Sequence, residues 1–517
     1  MLNLSIIYHN HQPYYKNLLT GETDVPWVRL HGTKDYLDMV LMLEKFPSVK
    51  ATFNLVPSLV EQIDDYQSRN VKDKFLDLSY KPVISLTPDE RKFIVDNFFM
   101  INRDKVVAVH PRYYELSFKA ADKKIFDDQD ILDLQVWFNL AWVDPLFRDS
   151  TRDLQRIVNK GRFFTEDEKK VVLDAHLRIL SDILPGYKRA MDSKQIEVIL
   201  SPYYHPILPL LYNTNLAKEA NPKSTLPAVG FSFPQDARAQ IASGVAQYTD
   251  KFRQPPAGMW PSEESVCDHI VPYFIESGIK WIVTDEAILF KSLRRKRNSR
   301  ALYQPYTLKR EQGSLAVIFR DRNLSDLLGF TYPQWNAVDA VNDFMKHLEN
   351  ISGALKGRDA LVTVALDGEN AWEYYRNDGH EFLELLYARL SDAPFVKTVT
   401  PGDYLQRSPA TTQLKRLAAG SWIYGEFSKW INNPYKNKGW EYLAIARQEL
   451  QRMVDAGEPV SDLAWKQMYI AEGSDWYWWF GEDYPGYFDR LYRMHLSNFY
   501  TLINKPVPGY LKKPVAP

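Results

Sequence analysis

Seven short runs of apolar residues recur along most of the chain, and each ends in polar or acidic positions. The runs are rich in Val, Ile and aromatic residues, which is typical of strands buried on both faces. Longer segments with helical periodicity separate most of them. Strands that alternate with helices predict a parallel sheet, and the length of the chain favours a β/α barrel. The predicted strands are residues 4–8, 51–56, 196–200, 257–260, 281–283, 315–319 and 361–366.

A long segment without a strand pattern separates the second and third predicted strands. The motifs that begin at Thr87 (Thr-Pro-Asp-Glu) and at Thr165 (Thr-Glu-Asp-Glu) have the spacing of N-terminal capping boxes. We therefore predict a helical insert over about residues 60–195, with helices that cover the barrel.

The last part of the chain has a different pattern. No convincing strand follows about residue 405, and apolar residues recur there at spacings of three and four. We predict a barrel domain over residues 1–405 and a C-terminal helical domain over residues 406–517 that completes the active site. The residues of the two apolar helix faces are Trp440, Leu443, Ala446, Leu450 and Met453, and Phe488, Leu491, His495, Phe499 and Leu502.

Composition excludes several classes of protein. The 517 residues include 64 basic and 65 acidic ones, and this balance does not favour a surface for nucleic acid. The basic run at residues 294–297 is therefore interpreted as a solvated loop. The single cysteine, Cys267, cannot form a disulfide within the chain or a cysteine-rich zinc site. The aromatic content of 14% is the unusual value, and it is common where proteins stack on sugar rings.

The N-terminal residues lack the basic region and the long apolar run of a signal peptide. No window of the sequence is apolar enough for a membrane span. We expect no membrane association and a cytoplasmic location.

Candidate catalytic residues lie where two predicted strands end. Barrel enzymes carry their chemistry at the carboxyl ends of strands, and Glu263 and Asp367 occupy two such ends, each near a tryptophan. Two carboxylates in one cleft suit glycosidic cleavage, since one attacks or activates water while the other protonates the leaving oxygen. Spacing leaves Glu369 as a competitor of Asp367 for the same role. Glu264 is expected to face away from Glu263 on an extended chain.

His9 and His11 are two residues apart at the end of the first predicted strand and should project to one side. They could form half of a metal site, bind sugar hydroxyls or the carboxylates, or form a structural pair. We favour the second role and expect no metal and no cofactor.

The segment 473–483 interleaves tryptophans with carboxylates. A buried helix interface would have to neutralise those charges at a cost of several kcal/mol. We therefore interpret the segment as a sugar-facing platform in which Trp476 and Trp478 stack and Asp475 binds hydroxyls.

These motifs together resemble those of glycoside hydrolase family 57, over essentially the whole chain. The similar stretches are His11-Gln12-Pro13, Glu197 with residues 201–206, residues 258–263, residues 366–370 and residues 471–476, and the stretch 26–31 is similar too. The resemblance implies a (β/α)7 barrel, a distorted relative of the TIM barrel, followed by a helical bundle. It also implies retaining chemistry on α-glucans, with Glu263 as nucleophile and Asp367, not Glu369, as general acid/base.

The third and fourth motifs look most like the amylopullulanase and α-amylase branch, and less like the glucanotransferases or branching enzymes. Ala371 stands where that branch commonly has proline. We expect the neighbours of Asp367 to raise its pKa and the two catalytic carboxyl groups to lie about 5–6 Å apart. The candidate substrate-binding residues are His9, His11, Gln12, Trp27, His31, His205, Trp260, Glu369, Asp475, Trp476 and Trp478.

The hypothesis that follows is a hydrolase of α-1,4 bonds, with α-1,6 bonds as a second linkage, acting on starch, glycogen or maltooligosaccharides. The nearest alternative is a 4-α-glucanotransferase, which would use the same covalent intermediate. The others are a zinc-dependent deacetylase that uses His9 and His11, and a non-catalytic glucan-binding protein.

Overall fold

The computed structural model describes residues 2–482 and 486–516, with the side chains of residues 370 and 371 left aside. Its central element is a barrel of seven parallel strands, and each predicted strand corresponds to one of them. The strands are β1 (Leu2–Asn10), β2 (Ala51–Leu55), β3 (Ile196–Ile199), β4 (Gly258–Met259), β5 (Trp281–Asp285), β6 (Gly313–Arg320) and β7 (Ala360–Asp367).

Strands that are consecutive along the chain are neighbours in the barrel. Parallel pairing runs from β7 through β1 and β2 to β3, and from β4 through β5 and β6 back to β7. A single parallel bridge between Leu200 and Met259 joins the two halves. The Trp260 N–H donates to the Leu200 carbonyl there at 2.8 Å. The predicted (β/α)7 barrel is confirmed.

A buried apolar cluster takes side chains from six of the seven strands or their ends, and it includes Ile7, Val283, Ile318 and Ala365. Side chains of a strand alternate between its two faces. The residue two positions further along each of these strands therefore faces the same interior, at the carboxyl end of the barrel. In place of further apolar groups these positions carry His9, Asp285, Arg320 and Asp367.

The segment between β2 and β3 is helical, as predicted, and both predicted capping boxes are formed. At the first of them the Thr87 hydroxyl accepts from the Glu90 N–H at 3.3 Å, while the Glu90 carboxylate accepts from the Thr87 N–H at 2.8 Å. The helices are Pro57–Gln67, Lys74–Tyr80, Pro88–Asn97, Pro111–Ala121, Asp128–Leu140, Pro145–Ser150, Arg152–Lys160 and Glu166–Asp192.

The C-terminal part is mainly helical, with helices Pro434–Asp455, Asp462–Ala471, Ser474–Trp479 and Tyr487–Leu502. The prediction that no strand follows residue 405 was wrong, because Thr412–Gln413 pairs in parallel with Tyr306 and Thr307. A two-residue exposed strand has no apolar run by which a sequence could reveal it. Helix Pro401–Arg407 also crosses the predicted boundary.

Polar contacts fasten the C-terminal helices to the barrel and its loops. The Arg447 guanidinium forms a buried two-point ion pair with Asp236, at 2.6 and 2.9 Å. The Ser474 N–H donates to the His205 carbonyl at 3.1 Å. A planar two-point pair fixes orientation as well as distance, so the C-terminal helices are held in register with the mouth of the barrel.

The remaining elements are short or cover the barrel. Within the described ranges, no helix combines the length and apolar character that crossing a bilayer requires. The other helices are Trp27–Lys34, Leu37–Glu44, Leu208–Tyr212, Leu216–Ala220, Pro234–Phe252, Val271–Glu276, Glu286–Leu293, Ser299–Leu302, Arg322–Asp326, Ala337–Leu355, Asn370–Tyr374 and His380–Asp392, and the other strands are Glu22–Thr23, Lys72–Asp73, Tyr306–Arg310 and Val396–Thr398.

Candidate active site

Glu263 and Asp367 belong to strand ends that are separated by two strands around the barrel. Asp367 is the last residue of β7 and lies beside His9 of β1 in the sheet register. Glu263 lies in the loop after β4. The negative charge of Asp367 acts on Glu263, so the two carboxyl groups are close enough to interact. Their separation of about 5–6 Å stays a prediction.

The loop that carries Glu263 is a tight turn and not an extended strand. Glu263 and Glu264 both adopt left-handed backbone conformations, with φ of 57° and 50°. The Glu264 N–H closes the turn by donating to the Pro261 carbonyl at 2.7 Å. The expectation of an extended chain was therefore wrong here. Left-handed conformations cost non-glycine residues about 1 kcal/mol or more, and such strain is characteristic of functional sites.

Trp422 holds the Glu263 carboxylate in place. Its indole N–H donates to Glu263 Oε2 at 2.7 Å, and its backbone N–H donates to the Glu263 carbonyl at 3.1 Å. The Arg320 guanidinium lies over the Trp422 ring, 5.1 Å from its centre. Sequence reasoning missed Trp422, because it lies in a loop with no periodic pattern and its only signal was the high tryptophan content.

Burial governs the proton affinities of both carboxyl groups. The pKa of Glu263 is raised to about 8. Burial is the largest cause and the charge of Asp367 adds to it, while the hydrogen bond from the Trp422 indole opposes the rise. Burial also raises the pKa of Asp367 to about 6, while the nearby cationic groups of Arg320 and His11 oppose the rise. The direction expected for Asp367 is confirmed, but its cause is desolvation and not the neighbouring side chains. Between these two values the pair holds one proton.

We expect kcat/KM to follow a bell-shaped pH profile with its limbs near pH 6 and pH 8. Activity should rise as the pair loses its first proton, which frees one carboxylate for attack. It should fall as the second proton leaves, because no acid then remains for the leaving group. Initial rates on a maltooligosaccharide far below KM, from about pH 4 to about pH 10, test this. A profile with no maximum between the two limbs contradicts it.

Three histidines stack beside the pair. The rings of His11 and His205 lie 4.0 Å apart, and the His9 ring stacks on Trp260 at 4.8 Å. Burial lowers the pKa of His9 and of His205 well below the usual value, and the neighbouring histidines add to the effect. Both rings are therefore neutral near pH 7 and can donate or accept hydrogen bonds.

Asp475 enters the same site from the C-terminal part of the chain. Its carboxylate pairs with His11 Nε2 at 2.8 Å, and its charge contributes to raising the pKa of Glu263. Ser474 next to it bonds His205 Nδ1 through its hydroxyl at 3.0 Å. Together with Trp422, these contacts bring residues that follow the barrel to the ends of β1, β3 and β4.

Comparison with known proteins identifies the family of this chain. The family model described as Glycosyl hydrolase family 57 matches residues 5–415. The chain belongs to this family. The match covers β1 from residue 5 onwards, β2 to β7 with Asp367 at the end of β7, and the loop that carries Glu263.

Relatives of this family 57 chain have several activities. Alpha-amylase 1 of Dictyoglomus thermophilum is 26% identical over 271 residues, which are 51% of this chain and 34% of that protein. A GH57 branching enzyme from Thermococcus kodakaraensis superposes with a TM-score of 0.62 at 16% identity, over 97% of this chain and 90% of that one. An α-amylase from Thermotoga maritima gives 0.60 at 13% identity, over 97% and 93%. At these identities the solved structures show the shared fold alone.

Glu369 and Gln12 have structural contacts in this family 57 barrel. Glu369 Oε1 accepts from the His11 N–H at 2.8 Å and from the Tyr36 hydroxyl at 2.9 Å. Gln12 Oε1 accepts from the Tyr15 hydroxyl at 3.0 Å. Glu369 therefore connects the loop after β1 to the loop after β7, and it positions the backbone that carries His11.

The proposed aromatic contacts divide into buried and accessible rings. Trp260 and Trp476 are buried, and the Trp476 indole donates to the Ile470 carbonyl at 2.9 Å, so neither ring can stack on a sugar in this conformation. Trp478 is half-buried beneath the ammonium of Lys429, 4.3 Å from its centre. Of the two tryptophans proposed to form the sugar-facing platform, Trp476 and Trp478, only Trp478 is partly accessible. Asp483, the last carboxylate of the predicted platform, lies outside the described residues.

Trp27 and His31 lie on a neighbouring helix. His31 Nδ1 bonds Asp35 at 2.6 Å, and the Trp27 ring lies 6.1 Å from the His31 ring. Asp35 in turn acts electrostatically on Glu369. The pair is therefore linked to Glu369 through Asp35, and Glu369 in turn interacts electrostatically with Asp367.

Two groups among the described residues have three potential metal ligands within 4.8 Å of one another. In the first, His11 and His205 stack with 26° between their planes. Lone pairs of nearly parallel rings do not converge on one ion. In the second, formed by Asp38, Asp144 and His380, His380 Nε2 already pairs with Asp144 at 2.9 Å. In both groups, therefore, side chains already stack or pair with one another.

Proposed function

We propose that this chain is a retaining glycoside hydrolase that cleaves α-1,4-glucosidic bonds of α-glucans and maltooligosaccharides, with α-1,6 bonds as a second linkage. The observation that carries the proposal is the interacting pair Glu263 and Asp367, half-buried at two carboxyl ends of a family 57 barrel. One carboxyl group that keeps its proton and one carboxylate in the same cleft are the requirement for glycosidic cleavage.

In the first step Asp367 gives its proton to the glycosidic oxygen as the bond from that oxygen to C1 breaks. A Glu263 oxygen attacks C1 from the opposite face, and a glycosyl ester forms on Glu263. In the second step Asp367 takes a proton from water, whose oxygen attacks C1 and releases Glu263. Each step inverts C1, so the product keeps the α configuration.

The surrounding residues prepare Glu263 for attack. The indole of Trp422 and the positive charge of Lys429 both favour the ionised form of Glu263 and oppose the effect of burial. The order of the two pKa values places the single proton mainly on Glu263. The productive form, with the proton on Asp367, is the minor one, so contacts that stabilise the Glu263 carboxylate add directly to the rate.

Product analysis tests the proposal. Soluble starch, pullulan and maltooligosaccharides are incubated with the protein and with a Glu263→Gln control, and products are separated by size while reducing ends are counted. Hydrolysis of α-1,4 bonds gives new reducing ends from starch and maltooligosaccharides, and release of maltotriose from pullulan reports cleavage of its α-1,6 bonds.

The same experiment separates the alternatives. A 4-α-glucanotransferase would convert one maltooligosaccharide into longer and shorter chains with no gain in reducing ends. Unchanged substrates, bound by wild type and control alike, would indicate a glucan-binding protein and overturn the proposal.

A further inference from the structure

A cavity of about 320 Å³ lies between the loop after β3 and helix Asp462–Ala471. None of its lining residues is a catalytic carboxylate or one of the three stacked histidines. Its walls include three aromatic residues that are half-buried and two polar residues that are exposed. The half-buried residues are Tyr203, Trp465 and Tyr469, and the exposed ones are Ser243 and Asp462.

Gln240 holds the two walls of this cavity together. Its carbonyl accepts from the Tyr203 N–H at 3.0 Å, and its side-chain oxygen accepts from the Tyr204 N–H at 3.0 Å. Its side-chain amide donates to the Tyr469 carbonyl at 3.0 Å. Walls fixed in this way need little ordering when a ligand binds, which favours affinity.

The hydroxyl groups of Tyr203 and Tyr204 already have a hydrogen-bond acceptor. The hydroxyls of Tyr203 and Tyr204 donate to Glu61 at 2.9 and 3.3 Å. The Lys466 ammonium pairs with the same carboxylate at 2.5 Å. The cavity therefore has no uncommitted cation among these residues, and it does not suit a phosphate or another anion.

Trp465 supplies an oriented ring beside exposed polar groups. The Arg447 guanidinium lies 5.1 Å from its centre, and the Tyr469 ring lies 5.7 Å away. Asp462 and Ser243 offer a carboxylate and a hydroxyl at the surface. Apolar ring faces next to a few oriented polar groups match a sugar, which has one C–H face and a rim of hydroxyls.

We propose that this cavity is a second glucan-binding site, which holds about one or two glucose units of a long chain outside the catalytic cleft. The inference rests on the proposed function for the identity of its ligand. The site would retain polymeric substrate on the enzyme and would contribute nothing to the cleavage of short oligosaccharides that fit the catalytic cleft alone.

Native electrophoresis in gels with and without glycogen tests the second site. Trp465→Ala should weaken retardation by glycogen about fivefold or more, because one stacking contact is lost, while kcat/KM on maltotriose stays at the wild-type value. Trp465→Phe keeps an aromatic face and should retain most of the binding. The matched control is Trp335→Ala, since Trp335 is a tryptophan that is 46% exposed and does not line the cavity.

A second variant tests the site independently, in case Trp465→Ala does not fold. Ser243 is exposed on helix Pro234–Phe252, so Ser243→Arg should close the cavity mouth without disturbing the core and weaken retardation to a similar extent. Retardation of both variants equal to that of Trp335→Ala overturns the second site, even if the wild type cleaves glucans. A wild type that cleaves no maltooligosaccharide overturns the proposed function instead.

Discussion

Replacing Glu263 by alanine is expected to lower kcat/KM on maltooligosaccharides by about 10⁴-fold or more, because no other group can form the glycosyl ester. The neighbouring Glu264 is not a substitute, since Trp422 orients the Glu263 carboxylate while Glu264 is fully buried. Initial rates at the optimum pH, with product detection sensitive enough for slow turnover, measure the loss.

Chemical rescue of Glu263→Ala by azide tests whether Glu263 is the nucleophile or a structural residue, because the configuration of the product differs. With α-maltosyl fluoride as substrate, azide can enter the space left in Glu263→Ala, attack C1 as fluoride leaves, and give β-maltosyl azide. Glu263→Gln is the matched control, because its amide oxygen can still accept from the Trp422 indole and leaves no space for azide. A Glu263→Ala variant that keeps more than about 1% of wild-type activity would falsify the assignment.

Asp475→Asn is expected to lower kcat/KM by about 10-fold to 100-fold while the melting temperature stays close to that of the wild type. The change removes the charge from a hydrogen bond to His11, a type of bond that contributes about 1.5–3 kcal/mol. Asparagine has the size of aspartate and its side-chain oxygen can still bond His11, and the two side chains are 11% and 13% exposed, so we expect the fold to tolerate the change. Steady-state kinetics and thermal melting measure the two effects.

The matched control for Asp475 is Asp455→Asn. Asp455 is an exposed residue that ends helix Pro434–Asp455 and accepts from Gln451 at 2.8 Å. It belongs to the same C-terminal part of the chain, but its hydrogen bond is to Gln451 and not to a residue of the active site. Equal activity of Asp475→Asn and Asp455→Asn would remove Asp475 from the active site and return the C-terminal part to a packing role.

The barrel could be predicted because its strands are buried on both faces. Continuous apolar runs such as those of β1 and β7 stand out from the helical periodicity around them. The hairpin strand Tyr306–Arg310 was missed, since its last two residues are polar and not buried, and it lies outside the ring of seven parallel strands, where it pairs with β6 and with Thr412–Gln413. Sequence patterns therefore revealed the strands that form the barrel and not those attached to it.

The catalytic strand ends were predictable, and the shape of one of them was not. Alternation along β7 places Asp367 on the interior face two residues after Ala365. No comparable rule applies after β4, where Pro261 begins a turn with two consecutive left-handed residues. Long-range partners such as Trp422 follow from the way the C-terminal part packs, which local patterns do not encode.

Burial was the quantity that sequence reasoning judged least well. Trp260 and Trp476 have the chemistry of sugar platforms, but the first fills the barrel beneath His9 and the second packs among the C-terminal helices. The same burial, and not neighbouring charge, raises the pKa of Asp367. Which side of a motif faces the core depends on tertiary packing, and a tryptophan in sequence does not show it.

Trapping the glycosyl-enzyme tests the central proposal most directly. In Asp367→Ala, α-maltosyl fluoride still reacts because fluoride leaves without an acid, whereas the second step lacks its base and becomes slow. Acid quenching followed by intact-mass measurement and peptide mapping should show one added maltosyl group, in ester linkage to Glu263. Fluoride release with no adduct, together with a product of β configuration, would contradict the double displacement and indicate direct attack by water.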